Sequence, residues 1–151
     1  KARPDVRVTD DPATSSLPTL VWTGEEWGVA WHDARDGDTE IYFARLGWQG
    51  DKLGSDLRVT NAAGASETNA LVWTGSTFGL VWHDFRDGGW EIYFARLGAK
   101  GAKLGADVRL THDLTISGWP DVEWNGSEFR RPGEQNTQRA GIIHPISDGH
   151  P

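Results

Sequence analysis

The sequence contains no cysteine and no methionine, and acidic residues outnumber basic ones. Without cysteine there is no disulfide, no thiolate nucleophile and no thiolate metal ligand. The formal net charge is -7, with 15 Lys and Arg against 22 Asp and Glu, whereas nucleic-acid-binding surfaces are basic. No run approaches the roughly 20 apolar residues that a membrane helix needs. We therefore expect neither a nucleic-acid partner nor a membrane partner.

What the chain has in abundance is a repeat. The segment WHDARDGDTEIYFARLG at 31–47 returns as WHDFRDGGWEIYFARLG at 82–98. Trp22, Trp73 and Trp124 are likewise 51 positions apart from one to the next. A fixed period of this length is typical of repeat architectures, in which each repeat is one unit of local structure.

Each repeat is predicted to contain four short strands and no helix. In the first repeat these are LPTLVWT at 17–23, WGVAWHD at 27–33, TEIYFARL at 39–46 and DLRVT at 56–60. Aromatic and β-branched residues favour strands, and Gly or Asp-Gly occurs at the junctions between them. No segment shows a sustained helical period. Four antiparallel strands in about 50 residues are typical of a β-propeller blade, so the predicted fold class is all-β.

The repeated unit resembles the repeats of bacterial TolB-like or WD40-like β-propellers, which have an Asp-Gly turn before an Ile-Tyr strand. The resemblance covers residues 1–129. At the level of fold alone, it extends to six-bladed propeller phosphotriesterases and lactonases. It implies a bacterial protein of a kind that is often exported, but the sequence leaves the compartment open. No catalytic motif of those enzymes matches this chain residue by residue.

Counting the strands gives an incomplete propeller. The predicted segments are an orphan strand at 4–9, whole blades at 17–60 and 68–111, and a partial blade at 119–129. The repeat pattern stops there, and residues 130–151 form a tail with a substitute strand at 141–146. Truncation or a change of reading frame in a longer gene is the preferred interpretation of this tail. A natural capping segment is the alternative.

Fewer than three complete blades do not close a ring, since propellers have 4–8 blades. Open sheet edges and tryptophan-rich faces favour association. We expect a homo-oligomer, namely a dimer whose two chains form six blades. In that dimer, the orphan strand 4–9 of one chain completes the third blade of the other.

The repeated His-Asp pair has two interpretations. Asp33, Arg35 and the Asp-Gly turn recur unchanged in the second repeat, which favours a structural role with arginine between carboxylates. The tryptophans are similarly expected to pack between blades. His32 and His83 lie where the second strand enters the turn, on the face that propellers commonly use for ligands. They are the candidate catalytic residues, as a base or a reserve metal ligand, and a structural role is the alternative.

Positions at which the repeats differ supply the candidate metal ligands. Glu67, Asn69 and Asp121 lie on the predicted innermost strands, and blade construction does not require them. Oxygen ligands that converge on the channel are suited to a divalent cation, calcium above all. A solvated channel wall is the alternative. Further unrepeated candidates occupy the linking loops: Asp10, Asp11, His112 and Asp113, with His144 in the tail.

Three function classes follow from these patterns. The first is a metal-assisted hydrolase of phosphotriesters, esters or lactones at the channel or loop face. The second is a propeller that binds a glycan or another small ligand without catalysis, and the third is a scaffold. The chain has no Gly-x-Ser-x-Gly elbow and no phosphate-binding loop, so nucleophilic serine chemistry and nucleotide binding have no support.

Overall fold

The computed structural model describes residues 4–112 and 119–130, and within them it contains strands and no helix. Two antiparallel sheets of four strands follow one another along the chain, and a short hairpin follows the second. The first sheet consists of β1 (Ser15–Trp22), β2 (Trp27–Asp33), β3 (Glu40–Leu46) and β4 (Leu57–Arg58). The predicted all-β class is confirmed, with no helix in these ranges long or apolar enough to span a membrane.

The second sheet repeats the first with the same strand order. It consists of β5 (Ser66–Trp73), β6 (Thr77–Asp84), β7 (Glu91–Gly98) and β8 (Lys103–Arg109), and the hairpin that follows it consists of β9 (Glu123–Trp124) and β10 (Phe129–Arg130). The register repeats as well, because Trp31 lies opposite Tyr42 just as Trp82 lies opposite Tyr93. A 51-residue repeat in sequence is therefore a repeat in strand pairing.

The predicted orphan strand at 4–9 is not a strand in this structure. Its residues pair with no strand in the part of the chain that the structure describes. Val8 nevertheless packs against the core on the outer face of the first sheet. Its counterpart Val59 packs in the same manner into the core between the two sheets. The segment thus lies beside the first sheet as the end of β4 lies beside the second.

The sheets stack through an aromatic ring set against a glycine. Phe78 at the start of β6 is fully buried, and its ring lies 5.0 Å from Phe43 and 4.6 Å from Trp73. A Cβ atom on Gly28 would stand 2.5 Å from the Phe78 ring. The first sheet therefore needs glycine at position 28, because any side chain there would push the second sheet away.

The hairpin repeats this contact on the second sheet. The Phe129 ring lies 4.9 Å from Phe94, and a Cβ atom on Gly79 would overlap it. Val122, which directly precedes the hairpin, joins the core formed by Val81 and Phe94. The third repeat thus docks on the second as the second docks on the first. The predicted strand at 141–146 lies outside the described residues.

Candidate functional site

The repeated aspartate is the centre of a buried hydrogen-bond network. Asp84 is fully buried, and its carboxylate accepts hydrogen bonds from Ser66 Oγ at 3.0 Å and Trp82 Nε1 at 2.8 Å. It also accepts bonds from the Arg86 backbone N–H at 3.0 Å and from Arg86 Nη2 at 2.6 Å. Asp33 receives the same four kinds of donor in the first sheet. In each sheet this carboxylate therefore joins two strands and the turn that follows them.

The repeated arginine lies between two carboxylates, as predicted. Arg86 reaches Asp84 and, through Nη1, Asp107 at 3.1 Å, and its guanidinium lies 4.2 Å above the Tyr93 ring. Arg35 makes the equivalent contact with Asp56 at 3.1 Å. This arrangement ties the turn after β6 to the outermost strand, so the repeated motif builds the sheet.

A second repeated network closes the same end of each sheet. In the second sheet, Arg109 Nη2 donates to Glu91 Oε1 at 2.6 Å, and Thr111 donates to the other oxygen of that carboxylate. Arg109 also lies 3.2 Å from Asp87, which accepts a short hydrogen bond from the Tyr93 hydroxyl. The fold thus supplies a partner for each of these three charged groups.

The two tyrosines of the chain report on these networks. Burial raises the pKa of Tyr42 to about 12, and the hydrogen bond to Asp36 contributes to the increase. Tyr93 has a pKa of about 12 for the same reasons, with Asp87 as its acceptor. We expect the 295 nm phenolate absorbance to rise near pH 12 in the folded protein and near pH 10 in denaturant.

The sign of the associated stability change follows from the raised pKa. Both phenols hold their protons more tightly when folded, so their contribution is complete below about pH 10 and is lost as the pH rises towards about 12. Alkaline unfolding should therefore accompany tyrosine ionisation, monitored by far-ultraviolet circular dichroism. Titration of either tyrosine near its ordinary pKa in the folded chain contradicts the repeated network.

His32, a candidate catalytic residue, has both ring nitrogens in contact with the fold. Its Nε2 lies 2.5 Å from Ser16 Oγ, and the Thr68 backbone N–H donates to its Nδ1 at 3.4 Å. With Nδ1 as acceptor, the proton resides on Nε2 and is donated to the serine hydroxyl. This histidine ties the first sheet to the second, which favours the structural interpretation.

His83 has different surroundings although it is the same residue of the repeat. The residue opposite it on the neighbouring strand is Glu67 instead of a serine. Its ring lies 6.1 Å from that of Trp90, which replaces Thr39 of the first repeat. His83 itself is therefore conserved between the two repeats, whereas its neighbours Glu67 and Trp90 are not.

Two of the predicted metal ligands are bound to the neighbouring sheet. Glu67 Oε1 accepts a hydrogen bond from Thr39 Oγ1 at 3.1 Å. Asn69 is nearly buried at 6% exposure; its Oδ1 accepts from Thr19 Oγ1 at 2.6 Å, and its Nδ2 donates to the Leu17 carbonyl at 3.2 Å. The amide of Asn69 therefore joins β5 to β1, an arrangement that fits a structural role better than a ligand for calcium.

The third predicted ligand, Asp121, is exposed, and its carboxylate accepts a bond from the Val122 backbone N–H at 2.8 Å. Within residues 4–112 and 119–130, no three His, Asp or Glu side chains form a group that could hold a metal ion. The predicted calcium site stays a prediction. Asp10 is exposed in its loop, and Asp113 and His144 lie outside the described residues.

Backbone geometry explains how the side chains at 16 and 67 reach the histidines. Leu17 and Thr68 have φ angles of 48° and 46°, and each follows the residue that faces a histidine. The strand pairing shifts at both points, as in a β-bulge. Left-handed backbone is costly for a β-branched residue such as Thr68. Bulges of this kind redirect a side chain, here Ser16 in one sheet and Glu67 in the other.

Sequence reasoning missed two groups of residues. Phe85 and Trp90 form an aromatic pair beside His83, and their counterparts in the first repeat are Ala34 and Thr39. Leu20 and Trp22 are exposed on the first sheet, by 56% and 42%. The sequence contains a signal for the first group, because Phe85 and Trp90 differ from their counterparts in the first repeat. Predicting that Leu20 and Trp22 are exposed requires knowing the order in which the sheets stack.

Comparison of the chain with protein-family models, with curated proteins and with solved structures found no match to any of them.

Proposed function

We propose that this chain is an assembling unit of a β-propeller. Each four-stranded sheet is one blade, and copies associate into a closed ring through the free face of the first blade. The observation that carries the proposal is the exposure of Leu20 and Trp22. Their counterparts Leu71 and Trp73 pack against the core between the two sheets.

The free face has the residues of a docking surface. Leu20, Trp22 and Trp27 occupy the positions that Leu71, Trp73 and Phe78 occupy in the second sheet. Trp22 and Trp27 pack against each other with their ring centroids 5.0 Å apart. Large exposed apolar groups on a sheet face favour association, because burying them removes apolar surface from water.

A second copy of the chain is the partner that fits this face. In the stack, an aromatic residue at the start of a second strand docks on the preceding repeat, Phe78 on the first and Phe129 on the second. Trp27 is the third member of that series. The receiving surface left for it is the third repeat of another copy, as in the predicted six-bladed dimer.

Both members of this contact between copies differ from the internal pattern. The position equivalent to Gly28 and Gly79 in the third repeat is Arg130, and the docking ring is Trp27 instead of phenylalanine. An arginine side chain at this position prevents a ring from approaching as closely as the phenylalanine rings approach Gly28 and Gly79. Its guanidinium stacks well on the face of an indole ring instead. The contact between copies is therefore expected to be a cation–π pair.

The N-terminal segment supports the same arrangement. Val8 packs beside the first sheet as Val59 packs beside the second. Arg7 Nε donates to the Thr9 carbonyl at 2.7 Å, which repeats the bond from Arg58 to the Thr60 carbonyl. Residues 4–9 thus have the local geometry of an outer strand but pair with no strand of the described ranges. In the proposed dimer, this segment would pair with the third repeat of a second copy.

The role that follows is a scaffold or binding propeller. The hydrolase stays a prediction, and the described residues favour it less. Asp33, Asp84, His32 and Asn69 make the contacts of a structural framework.

Replacing the exposed apolar side chains of the free face with polar ones should weaken the dimer. We expect the double substitution Leu20→Ser with Trp22→Ser to raise the dimer dissociation constant at least about tenfold, since central aromatic residues dominate interfaces. Sedimentation equilibrium over a range of concentrations measures this constant. Near-ultraviolet circular dichroism checks that the chain is still folded.

The matched control is Leu104→Ser, which removes a leucine of 42% exposure from the outermost strand of the second sheet. It should leave the dissociation constant unchanged. Arg130→Ala removes the guanidinium from the proposed stack without restoring the glycine of the internal contacts, and should also weaken the dimer. An unchanged constant in the Leu20/Trp22 double variant contradicts docking through this face.

A further inference from the structure

The second sheet carries a side-chain cluster that the first sheet does without. It consists of Glu67, His83, Phe85 and Trp90, and three of these four positions hold a different residue in the first repeat. There Ser16, Ala34 and Thr39 stand in place of Glu67, Phe85 and Trp90. Because the first sheet has the same strand order and networks, the scaffold does not require the carboxylate or the two rings.

Three of the four side chains lie together at one end of the sheet, and the fourth residue, Glu67, is paired with His83 in register. His83 and Ile92 are paired in register on β6 and β7, and so are Asp84 and Glu91. Phe85 directly follows β6 and Trp90 directly precedes β7. Their ring centroids are 5.2 Å apart at an interplanar angle of 59°. Trp90 is 6.1 Å from the His83 ring, and Glu67 lies across from His83 on β5.

The cluster is open to solvent although it is aromatic. Phe85 is 40% exposed, and Glu67, His83 and Trp90 are partly exposed. The Thr39 hydroxyl of the first sheet fixes one oxygen of Glu67 at 3.1 Å. An exposed aromatic surface with a few fixed polar groups at its border is typical of a ligand site.

We propose that this cluster binds a neutral hexopyranose. The C–H face of a pyranose ring is apolar and flat, and it suits the exposed surface of Phe85 and Trp90. The sugar hydroxyls would donate to the Glu67 carboxylate and exchange hydrogen bonds with the His83 ring. The site lies within one chain, so it goes beyond the proposed assembly and does not depend on it.

Other ligand classes fit less well. An anion would meet the carboxylate of Glu67 in a chain of net charge -7. A quaternary ammonium ion needs rings that stand apart and surround it. Phe85 and Trp90 instead pack against each other at a steep angle, 5.2 Å apart, so they present one joint surface without an enclosed cage.

The experiment uses saturation-transfer NMR on the full chain with the methyl α-pyranosides of glucose, galactose and mannose, each at about 10 mM. That concentration suits the weak affinity expected for a single sugar. We expect transfer to the ring protons of at least one of the three. The double substitution Phe85→Ala with Trp90→Thr installs the residues of the first repeat and should weaken binding at least about tenfold, or about 1.4 kcal/mol.

Two controls make the result specific. The same double variant should keep its melting temperature within a few degrees, because the first sheet folds with Ala34 and Thr39. Trp48→Ala removes a tryptophan of 71% exposure elsewhere, at a position where the second repeat has Ala99, and should leave sugar binding unchanged.

Three results overturn the proposal. The first is no transfer to any of the three glycosides, and the second is equal binding by the Phe85/Trp90 double variant. The third is binding of tetramethylammonium, lost in that double variant, where no glycoside binds.

Discussion

Replacing Asp84 with alanine is expected to destabilise the fold by about 3 kcal/mol, since it breaks a buried, hydrogen-bonded ion pair. Ser66 Oγ, Trp82 Nε1 and three donors of Arg86 lose their shared acceptor. Each buried donor left without a partner adds its own desolvation cost. Urea denaturation followed by tryptophan fluorescence measures the change in the free energy of unfolding.

Asp33→Ala should behave alike, because Asp33 has the same partners in the first sheet. Asp38→Gly is the matched control, since Asp38 is exposed and its counterpart in the second repeat is Gly89. Full thermal stability in the Asp33 and Asp84 variants would contradict the structural interpretation of the repeated motif.

The same carboxylate predicts a dependence of stability on pH. Burial raises the pKa of Asp84, but hydrogen bonds from Arg86 and Trp82 outweigh it, and the net pKa lies below the ordinary value. Its contribution is therefore present above about pH 4 and is lost as the pH falls through the lower pKa of the folded state. The Asp84→Ala variant should lose less stability on acidification than the unsubstituted chain.

Replacing Phe78 with alanine is expected to cost about 3–5 kcal/mol, the range for a buried phenylalanine. Its ring fills the space between Gly28, Phe43 and Trp73 at the junction of the two sheets. Truncation leaves a cavity there, because the glycine has no side chain with which to fill it. Equilibrium denaturation measures the loss.

Phe85→Ala is the matched control for this prediction, as the same substitution at a ring that is 40% exposed. It should cost less than about 1 kcal/mol. Equal costs at positions 78 and 85 would contradict the stacking of the sheets through Phe78.

Strand positions could be predicted well where the repeat is regular. β2 is predicted at 27–33 and found at Trp27–Asp33, because Gly and Asp-Gly turns bound an aromatic strand on both sides. The fourth strand is shorter than predicted, Leu57–Arg58 instead of 56–60. Beyond Arg58, the Val59 backbone N–H still donates to the Ile41 carbonyl at 2.8 Å, but the Ile41 N–H donates to the Thr60 hydroxyl at 2.8 Å instead of a backbone carbonyl.

The candidate site was harder to predict, since the repeat gives positions but not contacts. Asn69 is an unrepeated polar residue on an inner strand, which predicted a ligand. In the structure its amide bonds to Thr19 and Leu17 of the neighbouring sheet. Which neighbour a side chain meets depends on how the sheets stack, and that information is not in the alternation of a single strand.

The difference between Ser16 and Glu67 was recognisable in the sequence, and its significance was not. Both residues face a histidine across a strand pair. Of the two, Glu67 faces the histidine that lies beside an aromatic pair, since Trp90 replaces Thr39 in the second repeat. Comparing all unrepeated positions together, and not only the polar ones, would have predicted the cluster at Phe85 and Trp90.

The proposed assembly depends on the face that the first sheet presents to another copy of the chain. Multi-angle light scattering of the unsubstituted chain at micromolar concentration measures whether that face is covered in solution. We expect a folded species of twice the chain mass of 16.6 kDa, which dissociates when Leu20 and Trp22 are both replaced by serine. A stable, folded monomer with Leu20 and Trp22 still exposed to solvent would contradict the proposed docking.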